Sequence, residues 1–172
     1  ELKSRKPGVD TEARWVRKGR HYRYGYKKHM LTDGQGLVES VITTPANCAD
    51  MVVLPDLIEK AELTQGVSVL PDKGYCSRRN SAGLLERGLI DGIMLKAQKG
   101  MKLTERQREL NNGISKMCCL IERTFGSIRR WVSGGRCRYW GLERTHTQNI
   151  ILEAMAYNLK RMPGLLVLQS AK

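Results

Sequence analysis

The order of segments predicts an α/β fold. Two alternating, turn-linked segments come first, two short apolar runs follow with helical stretches around them, and the last third repeats apolar residues at helical spacing. A helix bundle would lack the alternating segments, and a sandwich would lack the long helical ones.

Residues 1–20 hold seven Lys and Arg against three acids, with Pro7-Gly8 as punctuation, and read as a basic arm or linker. Tyr22 to Met30 alternates aromatic and polar side chains. Asp33-Gly34 with Gly36 turns that segment into Leu37-Val38-Glu39-Ser40-Val41-Ile42, so the two form an antiparallel hairpin. Thr43-Thr44-Pro45-Ala46-Asn47 breaks the alternation, and Asp50 is placed to cap a helix burying Val53, Leu54, Leu57, Ile58 and Ala61. Val67-Ser68-Val69-Leu70 is short and half β-branched, a buried strand ending at Pro71 and Asp72.

Ser77 can cap the next helix, with Ala82, Leu84 and Leu85 on its apolar side and Gly88 near its end, and Leu89 to Leu95 supplies another strand. Residues 96–102 are basic and glycine-bearing and read as a mobile loop. Thr104 and Gln107 form a capping box for a helix that Gly113 should interrupt. Beyond it Ile114, Met117, Cys118, Ile121, Phe125, Ile128 and Val132 recur at helical spacing up to Gly134-Gly135. A last helix from about Thr145 to Lys160 is stopped by Pro163-Gly164. The chain thus divides into a basic arm (1–20), one domain (21–162) and a tail (163–172).

Composition narrows the function. Its 172 residues suffice for a real core without disulfides or structural metal. Thirty Lys and Arg against seventeen Asp and Glu leave a formal charge of +13, which favours an extended polyanion. Nucleic acid is the expected partner, with an RNA-binding basic protein as a competing class. Cys48, Cys76, Cys118, Cys119 and Cys137 lack metal-ligand spacing and are odd in number, which fits a reducing cytosol and argues against a disulfide framework. No run reaches the ~18 apolar residues that span a bilayer, so no membrane partner and a cytoplasmic location are expected. The first residue is Glu1 rather than Met, as in part of a longer reading frame.

Two acids stand out against this charge. Asp72 follows a strand, and Glu122 lies fifty positions on, in Ile121-Glu122-Arg123-Thr124-Phe125-Gly126. At about 100° per residue, Glu122 falls about 80° from Ile114, at the border of the apolar stripe, where it can meet a carboxylate at the end of a strand. Hard oxygen ligands are what Mg²⁺ prefers, and metal ions are how an anionic phosphodiester is attacked by a hydroxyl nucleophile. Lys73, Arg123, Arg129 and Arg130 are candidate phosphate contacts, and Tyr75 a candidate stacking contact. A solvated helix face and a core tyrosine are the plainer readings of the same residues.

Four blocks together, Asp72-Lys73-Gly74-Tyr75, Ile121 to Gly126, Gly25-Tyr26-Lys27-Lys28-His29, and Thr44-Pro45-Ala46-Asn47 with Asp50, resemble bacterial insertion-sequence transposases with an RNase H-like DDE domain. The resemblance runs from about Asp10 to Leu159. It implies an RNase H-like mixed sheet flanked by helices, and DNA cleavage and strand transfer at insertion-sequence ends. It also implies Mg²⁺ or Mn²⁺ as cofactor, held by Asp72 and Glu122 as second and third acids of a triad. The implied partners are double-stranded DNA, as terminal inverted repeats and as target, and a second copy of the chain on paired ends. Family members carry the first Asp on a strand ahead of the Gly-Tyr-Lys block, and no such strand is legible between Glu1 and Tyr22. Asp10 sits in a block resembling the linker and is not assigned a catalytic role. The expectation is therefore a C-terminal part lacking the first strand, with a catalytically inactive DNA-binding remnant as the alternative. Two further positions depart from the pattern: Cys118 stands where an Arg is usual, and Arg129 where a Lys is usual.

Overall fold

The computed structural model describes residues 8–97, 100–133 and 136–170. A three-stranded antiparallel sheet, in the order β1-β2-β3, comprises β1 (Arg14–Lys18), β2 (His21–Thr32) and β3 (Val38–Pro45). β2 is long enough to serve two partners: residues 21–25 pair with β1, and residues 26–32 pair with β3. Residues 14–18, expected in a basic arm, are thus a strand. They are joined to β2 by the two-residue loop Gly19-Arg20, in which Gly19 takes the positive φ of +62° that such tight hairpins need.

The β2–β3 turn forms where the sequence predicts it. The Asp33 carboxylate accepts the Gln35 and Leu37 amides, both at 2.8 Å, while Gly36 adopts φ +83°. β3 is the outer strand, and Asn158 covers part of its edge by accepting from the Val38 amide (2.9 Å) and donating to the Val38 carbonyl (2.8 Å).

A second sheet is small and parallel, with β4 (Ser68–Val69) beside β5 (Ile90–Asp91) and α2 (Arg78–Glu86) between them in sequence. The expected single mixed sheet is therefore two separate sheets among the described residues. The strand expected over 89–95 shortens to two residues. α1 (Leu54–Ala61) buries Leu54, Leu57 and Ile58 as expected, but Asp50 does not cap it. A 3₁₀ turn, Asp50–Val52, intervenes, Pro55 lies in the first turn of α1, and the Asp50 carboxylate is drawn instead to Lys27. Ser77 does cap α2, accepting from the Asn80 amide at 3.1 Å. On α2 only Leu84 of the predicted apolar side is buried; Ala82 and Leu85 are exposed.

α3 (Glu105–Ile128) is one helix of 24 residues where two were expected. Both bonds of the Thr104–Gln107 capping box form. Gly113 does not interrupt the helix, because one glycine costs a helix only about 1 kcal/mol and packing on both sides of it outweighs that. Five residues in π register, Arg129–Ser133, follow it. Gly134-Gly135, the predicted stop, lie outside the described residues, as do Gln98 and Lys99 of the predicted loop. The C-terminal helical region starts earlier and runs further than expected: α4 (Leu142–Thr147), a π segment (Gln148–Met155) and α5 (Ala156–Ser170), which carries Pro163 inside it.

Two apolar clusters result. One gathers Met30, Val38, Val41, Ile128, Ala154 and Tyr157 between the antiparallel sheet and the C-terminal helices, with Phe125 and Ile150 packed against it. The other gathers Leu54, Ile58, Val69, Leu84, Leu89 and Ile93 around the parallel strands. No described helix is long and apolar enough to cross a membrane.

Buried Thr124 knits the first cluster to the hairpin: its hydroxyl lies 3.1 Å from the Gly36 carbonyl and 3.1 Å from the Tyr157 hydroxyl. Thr124→Val keeps the shape and strands both partners, so urea unfolding should show a loss of about 1–3 kcal/mol. A change within error would mean the node contributes nothing.

Candidate functional site

Asp72 is exposed at the start of a 3₁₀ turn, Lys73–Tyr75, just beyond β4, and its carboxylate accepts from the Lys73 amide at 2.6 Å. That turn is clamped on two sides. Buried Asn80 donates to the carbonyls of Met51 (2.9 Å) and Tyr75 (2.7 Å). Gly74 lies so close to Asp50 that a Cβ there would stand 3.3 Å from its Oδ2, and Asp50 is itself paired with Lys27 at 2.8 Å.

The two other residues expected on this turn behave differently. Lys73 is exposed, whereas Tyr75 is half-buried, packs on the second apolar cluster and places its hydroxyl 3.1 Å from His29 Nδ1. Burial raises the Tyr75 phenol to about 12, with Asp50 and Asp72 adding to the shift. His29 in turn sets Nε2 3.0 Å from the Thr44 hydroxyl, so this buried ring is fully engaged as a structural residue. Burial pushes its pKa down; Asp50 opposes that and Lys27 reinforces it.

Glu122 and Arg123 are exposed on α3, and Arg129 and Arg130 are exposed in the π turn that follows. Arg130 lies over the Trp131 ring at 5.0 Å, and Lys160 approaches that ring at 4.1 Å. The link between the two acids is Cys118, one helical turn before Glu122. Its Sγ donates to the Leu70 carbonyl at 3.5 Å, which seats α3 against the end of β4, two residues before Asp72. Burial raises the Cys118 thiol pKa, and the charges of Asp72 and Glu122 raise it further, with a smaller contribution from Cys119. Both carboxylates therefore bear electrostatically on one half-buried thiol. Sequence reasoning singled out Cys118 only as a lost cation; its contact with the end of β4 needed the fold.

No group of three or more His, Cys, Asp and Glu side chains able to hold a metal occurs among the described residues. Asp72 and Glu122 nevertheless fit Mg²⁺ in kind, because that ion is commonly held by one or two carboxylates and completes its shell with water and phosphate oxygens. Nearby, a cavity of about 330 Å³ opens between Lys18, Arg23, Lys28, His29, Tyr75 and Phe125. Lys28 is paired with buried Glu153. Asp10 takes no part in this site: its carboxylate accepts from the amides of Glu12 and Gly141 (both 3.0 Å) and from the Tyr26 hydroxyl (2.8 Å), tying the start of β1 to the start of α4.

A family model described as the transposase DDE domain matches residues 3–159. The transposase for insertion sequence element IS1106 of Neisseria meningitidis serogroup B is 40% identical over 153 residues, covering 89% of this chain and 52% of that protein. The putative transposase for insertion sequence element IS402 of Burkholderia cepacia is 31% identical over 111 residues, covering 59% of this chain and 48% of that protein. The chain spans about half the length of these curated relatives. No solved structure matches it.

Two measurements read the site directly. With the other cysteines replaced by Ser, alkylation of Cys118 near neutral pH should speed severalfold in Asp72→Asn and in Glu122→Gln, since each removes a charge that disfavours the thiolate; unchanged rates would separate the acids from the thiol. His29 is held neutral, with its pKa below the ordinary value near 6.5, so the unfolded chain binds more protons. Its contribution to stability is complete above about pH 6.5 and is lost as the pH falls below it. Thermal melts should show a smaller drop between about pH 7.5 and 5.5 in His29→Gln than in the parent.

Proposed function

The chain belongs to the transposase DDE-domain family, and from that membership we propose that it carries part of the machinery for metal-dependent DNA cleavage and strand transfer at insertion-sequence ends. The observation that supports this reading best is the Cys118 contact with the Leu70 carbonyl, which seats the helix carrying Glu122 against the strand end that leads to Asp72. In this reading the two carboxylates hold Mg²⁺ or Mn²⁺, and a third acid comes from outside the grouping described here. When bound, the metal supplies activation of the attacking hydroxyl and stabilisation of the leaving oxygen. The chain's own residues bind and orient the substrate: Lys73 beside Asp72, Arg123 beside Glu122, and Arg129 and Arg130 in the π turn after α3 neutralise successive phosphates of double-stranded DNA. The Asp50–Lys27 clamp keeps the Asp72 turn from shifting under the phosphates.

The finer fold belongs to the same proposal. An RNase H-like arrangement would complete the two sheets with one more strand between them and bring the remaining acid with it. Terminal inverted repeats and target DNA are the substrates, a homodimer on paired ends is the working assembly, and the bacterial cytoplasm is the place of action. One observation favours a second reading, a DNA-binding remnant without catalysis: a thiol, not a guanidinium, stands one helical turn before Glu122 and meets the Leu70 carbonyl.

Metal and DNA binding test the proposal independently. Mn²⁺ binding followed by electron paramagnetic resonance should weaken about tenfold in Asp72→Asn and in Glu122→Gln, and affinity untouched by either substitution rejects the pair as ligands. For duplex DNA, the slope of log affinity against log salt should flatten by about 0.9 for each of Lys73, Arg123, Arg129 and Arg130 changed to Gln.

A further inference from the structure

The β1–β2 hairpin carries a surface that the proposed metal site leaves unused. Residues 14–25 include Arg14, Arg17, Lys18, Arg20 and Arg23 and no acid. In this part of β2 the hydrogen-bonded neighbour is β1 alone, so the hairpin is a two-stranded ribbon extending beyond the part of β2 that pairs with β3. Strand alternation sorts its side chains. Trp15 stands opposite Tyr24 and Arg17 opposite Tyr22, which puts all four on one face. Val16, Lys18 and Arg23 lie on the other face and line the cavity near His29.

The first face is aromatic and open to solvent: Trp15 is 62% exposed, Tyr22 65% and Tyr24 40%. Three large rings left largely in water forgo much of the gain of burial and lose rotamer freedom, which a role in folding alone does not explain. The rings are also preorganised. Trp15 and Tyr24 pack with centroids 5.1 Å apart, Arg17 lies over Tyr22 at 5.8 Å, and the Tyr24 hydroxyl is anchored on the Asp10 carbonyl.

We propose that this face is a stacking platform for unpaired DNA bases, with Arg17 on the same face and Arg20 in the turn beside it holding the flanking phosphates. Base stacking on flat aromatic faces needs no particular sequence, and cations along the same ribbon match the backbone of a strand laid across it. A two-stranded ribbon also fits the major groove of a duplex, but base edges there are read by polar hydrogen-bonding groups, and stacked pairs offer no face to Trp15 or Tyr22. Unpaired bases use the features this surface has. The inference rests on the proposed function, in which DNA ends are opened and joined, and assigns the ribbon to the single-stranded part of that substrate.

The test uses the full chain and fluorescence anisotropy at one salt concentration, with three probes: oligothymidine, a blunt duplex, and the same duplex bearing a thymidine overhang. The double variant Trp15→Ala, Tyr22→Ala should lose about tenfold in affinity for the first and third probes and stay within about twofold on the blunt duplex. Trp15→Phe, Tyr22→Phe keeps the rings and should retain most of the binding, which guards against a folding defect in the alanine variant. Direct contact is read by oligothymidine quenching of Trp15 fluorescence in a chain whose Trp131 and Trp140 are changed to Phe. Equal losses on all three probes, or no loss and no quenching, overturn the platform while leaving the metal-site reading standing. Failure of the parent chain to bind any of the three probes overturns both. Asp72→Asn should leave the preference for the overhang unchanged; if it abolishes that preference, the two sites are not separate and the proposal fails.

Discussion

The architecture depends on α3 lying across both sheets. Along its 24 residues it makes three kinds of anchor. Asn111 exchanges hydrogen bonds with both backbone groups of Leu95 beyond β5, Cys118 reaches the Leu70 carbonyl at the end of β4, and Thr124 reaches the Gly36 carbonyl in the β2–β3 turn. The described strands of the two sheets share no ladder, so this helix, together with α1 packed on β3, sets where one sheet stands relative to the other. A break at Gly113 would uncouple the Leu95 anchor from the rest. Continuity of α3 is therefore what joins the Leu95 anchor to the part of the helix that meets Leu70 and Gly36.

Around that helix, charge is distributed unevenly. The chain is strongly cationic, yet several cations near the site are already committed: Lys27 to Asp50 and Lys28 to Glu153, whose other oxygen accepts from Gln148 at 3.2 Å. A buried ion pair contributes little net stability after desolvation, but removing one member leaves an uncompensated charge, so such pairs enforce a particular docking of the elements that carry them. Here the pair docks β2 onto the C-terminal π segment. Lys73, Arg123, Arg129 and the ribbon cations stay exposed and available to an outside polyanion.

Several features were legible in sequence because they close within a few residues. The Asp33 turn, the Ser77 cap and the Thr104–Gln107 box each join a side chain to a backbone amide two to four positions away. The antiparallel hairpin followed from alternation. Asp50 shows the limit of this logic: it has the chemistry of a helix cap, but a lysine 23 residues earlier competes for the carboxylate and takes it. Met117 and Leu85, apolar at helical spacing, are 61% and 65% exposed because no element packs over them, and periodicity does not reveal what lies across from a helix face. Buried Thr124 escaped notice for the converse reason, since its partners Gly36 and Tyr157 are 88 and 33 residues away.

The sequence by itself determined the α/β class, the hairpin, the caps and the cationic balance, all consequences of backbone chemistry and composition acting locally. The family blocks around Asp72 and Glu122 were legible there too, as patterns of residue type. Tertiary structure alone decided that α3 runs unbroken, that α5 continues through Pro163, that Tyr75 turns its hydroxyl inward to His29, and that Cys118 stands under the influence of both acids. Each depends on packing or charge between segments far apart in the chain, and those energies are of the same size as the local preferences they override.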